Sequence, residues 1–158
     1  MNRTDITSDF VYGGVDGTIT TFAIMIGAIG SGVSSTNVII LSLASLFADG
    51  FSMGVSSYES VIDPGENAAA KGLATFSAFV AVGAIPIWVY YVYRDESDED
   101  QLHATVVASL MCLFLIGLMK GVVMESNALR SGLKTMSLGA IAGGISYGVA
   151  NNLKNSLN

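Results

Sequence analysis

The feature that most constrains this chain is a succession of helix-length apolar stretches joined by short polar links. A helix needs about 20 predominantly apolar residues to cross a bilayer. The sequence offers five such stretches, at about 9–31, 36–60, 72–93, 103–124 and 131–153. Only 13% of the 158 residues are charged, whereas a soluble domain usually has about 25%. The sequence therefore predicts an all-α, multi-pass integral membrane protein, with five transmembrane helices in a single membrane domain, 1–158.

Composition also excludes several classes of function. The net charge of −6 comes largely from the run DESDED at 95–100, and the chain has no basic patch that would favour nucleic acid as a partner. The single Cys112 lies inside the fourth stretch, so one chain can form neither a disulfide framework nor a cysteine metal cluster. We expect a protein that is not an enzyme and that carries no resident cofactor.

Lys and Arg residues predict how the chain is oriented. They are more frequent in the segments that share a side with the N-terminus (Arg3, Lys71, Arg130 and Lys134) than in the opposite segments (Arg94 and Lys154). Positive residues favour the cytoplasmic side, so the N-terminus is expected in the cytoplasm. The N-terminal residues lack a basic region and a small-residue cleavage site, so we expect the first stretch to be retained.

Asp16 is the residue that points most directly to a function. It interrupts a stretch that is otherwise apolar, small or hydroxylic, and an ionised carboxylate in hydrocarbon costs at least about 2.5–3.5 kcal/mol. Acids kept at that depth normally serve a cation, a proton or a paired partner. The structural alternative is a buried ion pair with Lys120 in the fourth stretch.

Asp16 shares one side of its helix with two further acids. At 100° per residue, Asp5, Asp9 and Asp16 fall within about 40° of arc. This stripe would form a path for a cation, with Asp5 and Asp9 at a mouth that concentrates positive charge. Asp5 and Asp9 lie near the membrane edge, so a solvated position in the first turn of the helix is equally compatible with them.

The second stretch carries another membrane-depth acid, Asp49, on a polar face. Ser45 precedes it by one turn and Met53 follows by one turn. Small hydroxyl side chains also serve close helix packing, and a single methionine is more often part of a core. A thioether beside a carboxylate nevertheless favours softer first-row metal ions over Mg²⁺ or Ca²⁺. Asp16, Met53, Asp49, Asp9 and Asp5 are therefore the candidate metal-binding residues.

The link after the second stretch adds a secondary candidate mouth. Glu59, Asp63 and Glu66 lie around a proline–glycine turn, on the same side of the membrane as Asp5 and Asp9. A solvated turn is the favoured explanation of these acids.

The fifth stretch indicates close helix packing. Its glycines recur at four-residue spacing, as Gly139–Gly143 and Gly144–Gly148, which suits close contact either within the chain or across a dimer. Five short spans bury few helix faces around a pore, so we expect a homodimer with a shared path.

Two motifs resemble a known family. FVYGGVDGTITTFAI (10–24) followed by ADGFSMGVSSY (48–58) is similar to the signature of the vacuolar iron transporters, which include yeast vacuolar iron/manganese importers and plant nodulin-like relatives. The runs 82–88 and 117–150 also resemble the family's later helices. The resemblance implies a five-helix dimer that moves Fe²⁺, and often Mn²⁺, out of the cytosol in exchange for protons. Its path lies along the two-fold axis, where the family's acids correspond to Asp5, Asp9 and Asp16 and its methionine to Met53.

The chain departs from the plant vacuolar type in two respects. Plant members have a long acidic cytoplasmic hairpin between spans two and three, where this chain has only about a dozen residues. Their span-two path glutamate corresponds to Ser45, and we expect Asp49, one turn away, to substitute for it.

The leading hypothesis is a homodimeric divalent-metal/H⁺ antiporter that exports Fe²⁺ and/or Mn²⁺ from the cytosol. Its partners would be membrane lipid, the metal ion, protons and a second copy of the chain, in an inner membrane or a vacuole-type organelle membrane. Two alternatives remain at this stage: a passive divalent-cation channel, and a membrane scaffold that transports nothing.

Overall fold

A computed structural model describes the backbone of residues 3–61 and 67–157, with side chains from residue 7 onward. These residues form five α-helices: α1 (Arg3–Ser31), α2 (Ser35–Glu59), α3 (Ala68–Val92), α4 (Asp98–Val123) and α5 (Ala128–Leu157). Each helix contains one of the five predicted stretches, apart from one or two residues at some ends. The all-α prediction is confirmed for the described part of the chain, which contains no β-strand.

Polar side chains set where three of the helices begin. Ser34 accepts a hydrogen bond from the backbone N–H of Asn37 at 3.4 Å, at the start of α2. Asn67 accepts one from Ala70 at 3.0 Å, before α3. Ser97 accepts one from Asp100 at 3.1 Å, before α4. These side chains satisfy N–H groups that have no partner within their helix.

The four later helices form an arc around α1, which contacts all of them. Along this arc α2 packs on α3, α3 on α4, and α4 on α5, whereas α2 and α5 do not touch each other within the described residues. The arc is therefore open between α2 and α5. One sector of α1 is left uncovered there, and it contains the exposed side chains of Tyr12 and Asp16.

Glycines bring α1 and α3 into backbone contact. A Cβ atom on Gly13 would lie 2.7 Å from the carbonyl oxygen of Thr75, and one on Gly17 would lie 2.9 Å from the Cα of Phe79. On the α3 side, a Cβ on Gly83 would lie 2.9 Å from the carbonyl oxygen of Gly17. In lipid, such close approach supplies the van der Waals contact that holds helices together.

The glycines of α5 divide between two surroundings. Gly139 packs against Leu113 of α4 and Gly143 against Phe22 of α1, whereas Gly144 and Gly148 have nothing within 4 Å of an added Cβ. The first pair therefore packs within the chain. The second pair faces open space, so its predicted use in a dimer stays a prediction.

Four of the five helices are long and apolar enough to span a membrane: Thr7–Ser31, Ser35–Glu59, Ala68–Val92 and Asp98–Val123. The fifth, α5, is long enough but does not reach the same apolarity, because it carries glycines, serines and, near its ends, basic and amide side chains. A fifth membrane span, the orientation of the chain in the membrane and the dimer stay predictions.

Candidate functional site

The helix geometry places Asp16 and Asp49 at matching depths. Asp16 lies nine residues beyond Thr7, the first residue of the first span with a described side chain, and Asp49 lies ten residues before Glu59, where the second span ends on the same side. At 1.5 Å per residue, these positions are about 14 Å and about 15 Å from the same membrane face. Both acids therefore lie near the middle of a hydrocarbon core that is about 30 Å thick.

The two carboxylates lie close enough for their like charges to repel each other. Asp16 is exposed on the uncovered sector of α1, and Asp49 is half-buried on the adjoining face of α2. Within the described residues, the one ion pair with a 4.0 Å contact joins Arg94 and Asp95, so neither membrane-depth acid is neutralised by a basic side chain. Two adjacent acids without a counter-charge are suited to a cation or to protons.

The polar neighbours of Asp49 lie on its own helix. Ser45 donates a hydrogen bond from its hydroxyl to Asp49 Oδ2 at 3.4 Å. Met53, one turn beyond Asp49, is half-buried and packs against the core cluster that contains Met25, Leu46 and Phe79. Met53 therefore has a packing role, and half-burial leaves part of its side chain accessible from outside the core.

The alternative of an Asp16–Lys120 ion pair is wrong for the described structure. The ammonium group of Lys120 lies over the ring of Tyr12, 4.8 Å from the ring centroid. A cation over an aromatic face is attracted by the negative potential of the ring. Lys120 is thus held on the α4 side of α1, and Asp16 keeps no basic partner.

Tyr12 is the residue of this region that the sequence reasoning missed. It lies on the same stripe as Asp9 and Asp16, at 340° on the helical wheel that starts at Asp5. Its hydroxyl donates to the thioether of Met124 at 3.8 Å. Its helical spacing from Asp9 and Asp16 is the signal in the sequence that identifies it, although it carries no charge.

The predicted mouth residues are only partly described. Asp9 is half-buried on α1, and Glu59 is exposed at the end of α2, at the same membrane face. Asp5 lies in the first turns of α1, but its side chain is outside the described residues, as are Asp63 and Glu66 altogether. The structure therefore places two of these acids at one face and does not test the others.

Beyond Asp16, the helical spacing continues the α1 stripe through Thr20, Ala23 and Gly27. Thr20 and Ala23 are half-buried, while Gly27 is buried and packs directly against Ser146 of α5. The physical reason is that Gly27 has no side chain, so α5 approaches α1 closely there. Within one chain, the stripe is open near Asp16 and closed near Gly27.

One chain offers too few ligands for a closed metal centre. In the described residues, no group of three His, Cys, Asp or Glu side chains could hold a metal ion. The geometry does offer an unneutralised acidic pair next to an uncovered helix face. A hydroxyl lies one turn before Asp49 on α2, and a thioether lies one turn after it.

Comparisons with known proteins show which family the chain resembles. The VIT family model matches residues 7–64 and 62–151. A "Vacuolar iron transporter" of Toxoplasma gondii is 25% identical over 234 aligned residues, which cover 97% of this chain and 77% of that protein. The aligned length exceeds 158 residues, so the Toxoplasma protein has residues that this chain lacks. The family match is divided at 62–64, between α2 and α3, where the short form was expected to lack the family's hairpin.

Two further relatives match over different extents. A "Membrane protein of ER body-like protein" of Arabidopsis thaliana is 26% identical over 98% of this chain, which spans only 24% of that protein. A "Vacuolar iron transporter" of Plasmodium falciparum is 43% identical over 56 residues, 35% of this chain and 20% of that protein.

The four apolar helices and the relatives named as vacuolar iron transporters identify a multi-pass membrane protein of an organelle or an inner membrane. At a coarse level they also support metal transport as its function. Because the family model matches nearly the whole chain, this protein belongs to the VIT family.

Proposed function

We propose that this protein works as a homodimer that exports Fe²⁺ and/or Mn²⁺ from the cytosol in exchange for protons. The observation that carries the proposal is Asp16, which is exposed near mid-membrane with no basic partner among the described residues. Left against lipid, the ionised side chain costs at least about 2.5–3.5 kcal/mol. A second copy that covers this sector, with a cation between the two, removes that cost.

The open sector between α2 and α5 suits a two-fold contact. A copy related by a two-fold axis along α1 would bring a second Asp16 and a second Asp49 to the same depth, so four carboxylates would surround one path. All five helices would span the membrane, with the N-terminus and the mouth acids Asp9 and Glu59 in the cytoplasm. This orientation agrees with the distribution of Lys and Arg.

Four neighbouring carboxylates also give a physical basis for exchange. A divalent ion neutralises part of their charge, and protons neutralise the same oxygens when the ion leaves. Metal and protons therefore compete for one set of atoms. Release of the ion to the outside and uptake of protons from there become two halves of one cycle.

Asp49→Asn tests the contribution of the second acid. It keeps the side-chain size and removes one charge per chain, and we expect transport of both metals to fall by at least about tenfold. The measurement is initial metal uptake into liposomes. Ser45→Ala removes only the 3.4 Å hydrogen bond to Asp49, so its transport should fall much less. Unchanged transport and unchanged proton coupling in Asp49→Asn would show that Asp49 does not replace the family's glutamate.

Met53→Leu tests the thioether without emptying the core. The two side chains have similar volumes, so the change in stability should stay below about 1.5 kcal/mol. The thioether is the soft ligand of the site, and we expect Fe²⁺ uptake to fall more than Mn²⁺ uptake when it is removed. The measurement is the ratio of the two uptake rates in wild type and variant. An unchanged ratio would leave Met53 with its packing role alone.

The proposed function is tested with the purified protein in liposomes that enclose a pH-sensitive dye. Fe²⁺ and Mn²⁺ are added outside in separate experiments, and metal entry and internal pH are followed together. Metal entry coupled to proton efflux supports the antiporter, and the two rates rank the ions. Metal entry without proton movement would identify a channel. No entry of either metal, with folded protein, would overturn transport and favour a scaffold.

A further inference from the structure

A basic pocket lies between α1, α4 and α5. Its cavity has a volume of about 520 Å³, and three of its lining residues are cationic: Lys120, Arg130 and Lys134. In the sequence, Arg130 and Lys134 indicate only the orientation of the chain, and Lys120 is a possible partner of Asp16. Their position together is a property of the fold, because Lys120 is on α4 and the other two are on α5.

Within the described residues, no acidic side chain neutralises the three cations. In the part of the chain that the structure describes, none of them has a carboxylate oxygen within 4.0 Å. Glu125, in the turn between α4 and α5, pairs with none of them. Lys120 lies over the Tyr12 ring, while Arg130 and Lys134 are exposed one turn apart on the same side of α5. An anion in the pocket would relieve the mutual repulsion of the three charges.

The backbone favours an anion at the same place. The first turn of α5 begins beside the pocket, where Asn127 Oδ1 accepts the backbone N–H of Arg130 at 2.9 Å. The side chain of Ser131 also lines the cavity and can donate a hydrogen bond, whereas the Ser126 hydroxyl donates to the Gly121 carbonyl at 3.3 Å. The N–H groups at a helix start carry partial positive charge, so they add to the attraction of the three cations.

The pocket lies near the ends of two spans, where long basic side chains can reach the headgroup region of a bilayer. Tyr12 lies five residues beyond Thr7, and Lys120 lies three residues before the end of the α4 span at Val123. These separations correspond to about 8 Å and about 5 Å from the membrane face. The pocket also has apolar lining from Leu138 and Met124, which suits the glycerol and upper acyl carbons of a lipid.

We propose that the basic pocket binds the phosphate group of an anionic phospholipid at the membrane face where α1 begins. Basic pockets between transmembrane helices bind such headgroups elsewhere. The bound lipid would hold the start of α5 at the membrane surface. That anchoring has a clear physical use here, because α5 is the helix that falls short of the apolarity of the other four. The proposal does not depend on metal transport.

The test compares two double variants of the full-length protein, each of which removes two positive charges. Arg130→Gln/Lys134→Gln removes two charges from the pocket. The matched control, Arg94→Gln/Lys154→Gln, removes two charges from segments at the opposite face. Each protein is titrated in mild detergent with phosphatidylglycerol, and bound lipid is counted by native mass spectrometry. Folding of each variant is checked by its helical circular dichroism and its elution volume.

We expect wild type and control to retain phosphatidylglycerol, and the pocket variant to bind it at least about tenfold more weakly, since each basic residue contributes about 1 kcal/mol. Phosphatidylcholine should bind weakly to all three. If inorganic phosphate displaces the lipid from wild type, the phosphate alone is the recognised group; if it does not, the acyl part contributes as well. The proposal would be overturned if the pocket variant retained as much phosphatidylglycerol as wild type. It would also be overturned if the control variant lost as much of the lipid as the pocket variant.

Discussion

Asp16→Asn is expected to lower metal uptake into liposomes by at least about a hundredfold for both Fe²⁺ and Mn²⁺. The substitution keeps the size of the side chain but removes the charge at mid-membrane, where the proposed path has its binding carboxylates. Even groups that only support metal ligands contribute about 10- to 100-fold to affinity, so loss of a direct ligand from both copies should exceed that range. Proton efflux that depends on metal should disappear in parallel.

The control for this prediction is Glu99→Gln, which removes one carboxylate from the exposed first turn of α4, on the opposite side of the membrane. Its transport should match wild type within about twofold, since a surface charge contributes little at working salt. Asp16→Asn should remain folded, because the carboxylate makes no ion pair within the described residues. Full transport activity in folded Asp16→Asn would sink the proposed mechanism.

Gly17→Ala is expected to have the largest effect on stability, about 3 kcal/mol or more. An added Cβ would meet the backbone of Phe79, whose Cα is 2.9 Å away and whose carbonyl carbon is 3.0 Å away. Backbone atoms cannot rotate aside as a side chain can, so α1 and α3 must separate. Overpacking in cores usually costs 1–3 kcal/mol, and here the loss extends along the α1–α3 contact. The measurement is the unfolding temperature in detergent.

Gly144→Ala provides the matched control on α5. Nothing lies within 4 Å of an added Cβ there, and alanine is a better helix former than glycine by about 1 kcal/mol. The folded chain should therefore unfold at the same temperature or slightly higher. Equal destabilisation by the two substitutions would contradict the assigned packing. It would mean that Gly144 is buried against another copy as tightly as Gly17 is buried against α3.

The fold class was readable from the sequence because membrane spans obey a simple physical limit. A segment that crosses hydrocarbon must satisfy its own backbone hydrogen bonds and present apolar side chains, so length and composition are sufficient to find it. All five predicted stretches coincide with helices of the described structure. The membrane-depth acids were readable for the same reason, since a carboxylate in such a segment contradicts its surroundings.

The packing of the helices against one another could not be predicted from the sequence in this way. The helical wheel placed Asp16 on a stripe of α1, but only the arc of the other four helices leaves that stripe uncovered beside Asp49. Likewise, the wheel could not show that α5 closes the stripe at Gly27. Contacts between helices depend on crossing angles and on the depth of each approach, and these arise from many side chains on both partners at once.

Lys120 and the glycines of α5 show most clearly what the sequence leaves to the tertiary structure. In the sequence, Lys120 is the one basic residue that could pair with Asp16, yet its ammonium group lies over the Tyr12 ring. The position of α4 relative to α1 decides which side chains Lys120 can reach. Four glycines of α5 recur at four-residue spacing in the sequence, but Gly139 and Gly143 are packed while Gly144 and Gly148 are open. The sequence alone determined the helices and the acids within them, because each follows from local chemistry in a known solvent. Only the tertiary structure decided which faces are covered, which charges meet and where the basic pocket forms, because those outcomes depend on residues far apart in the chain.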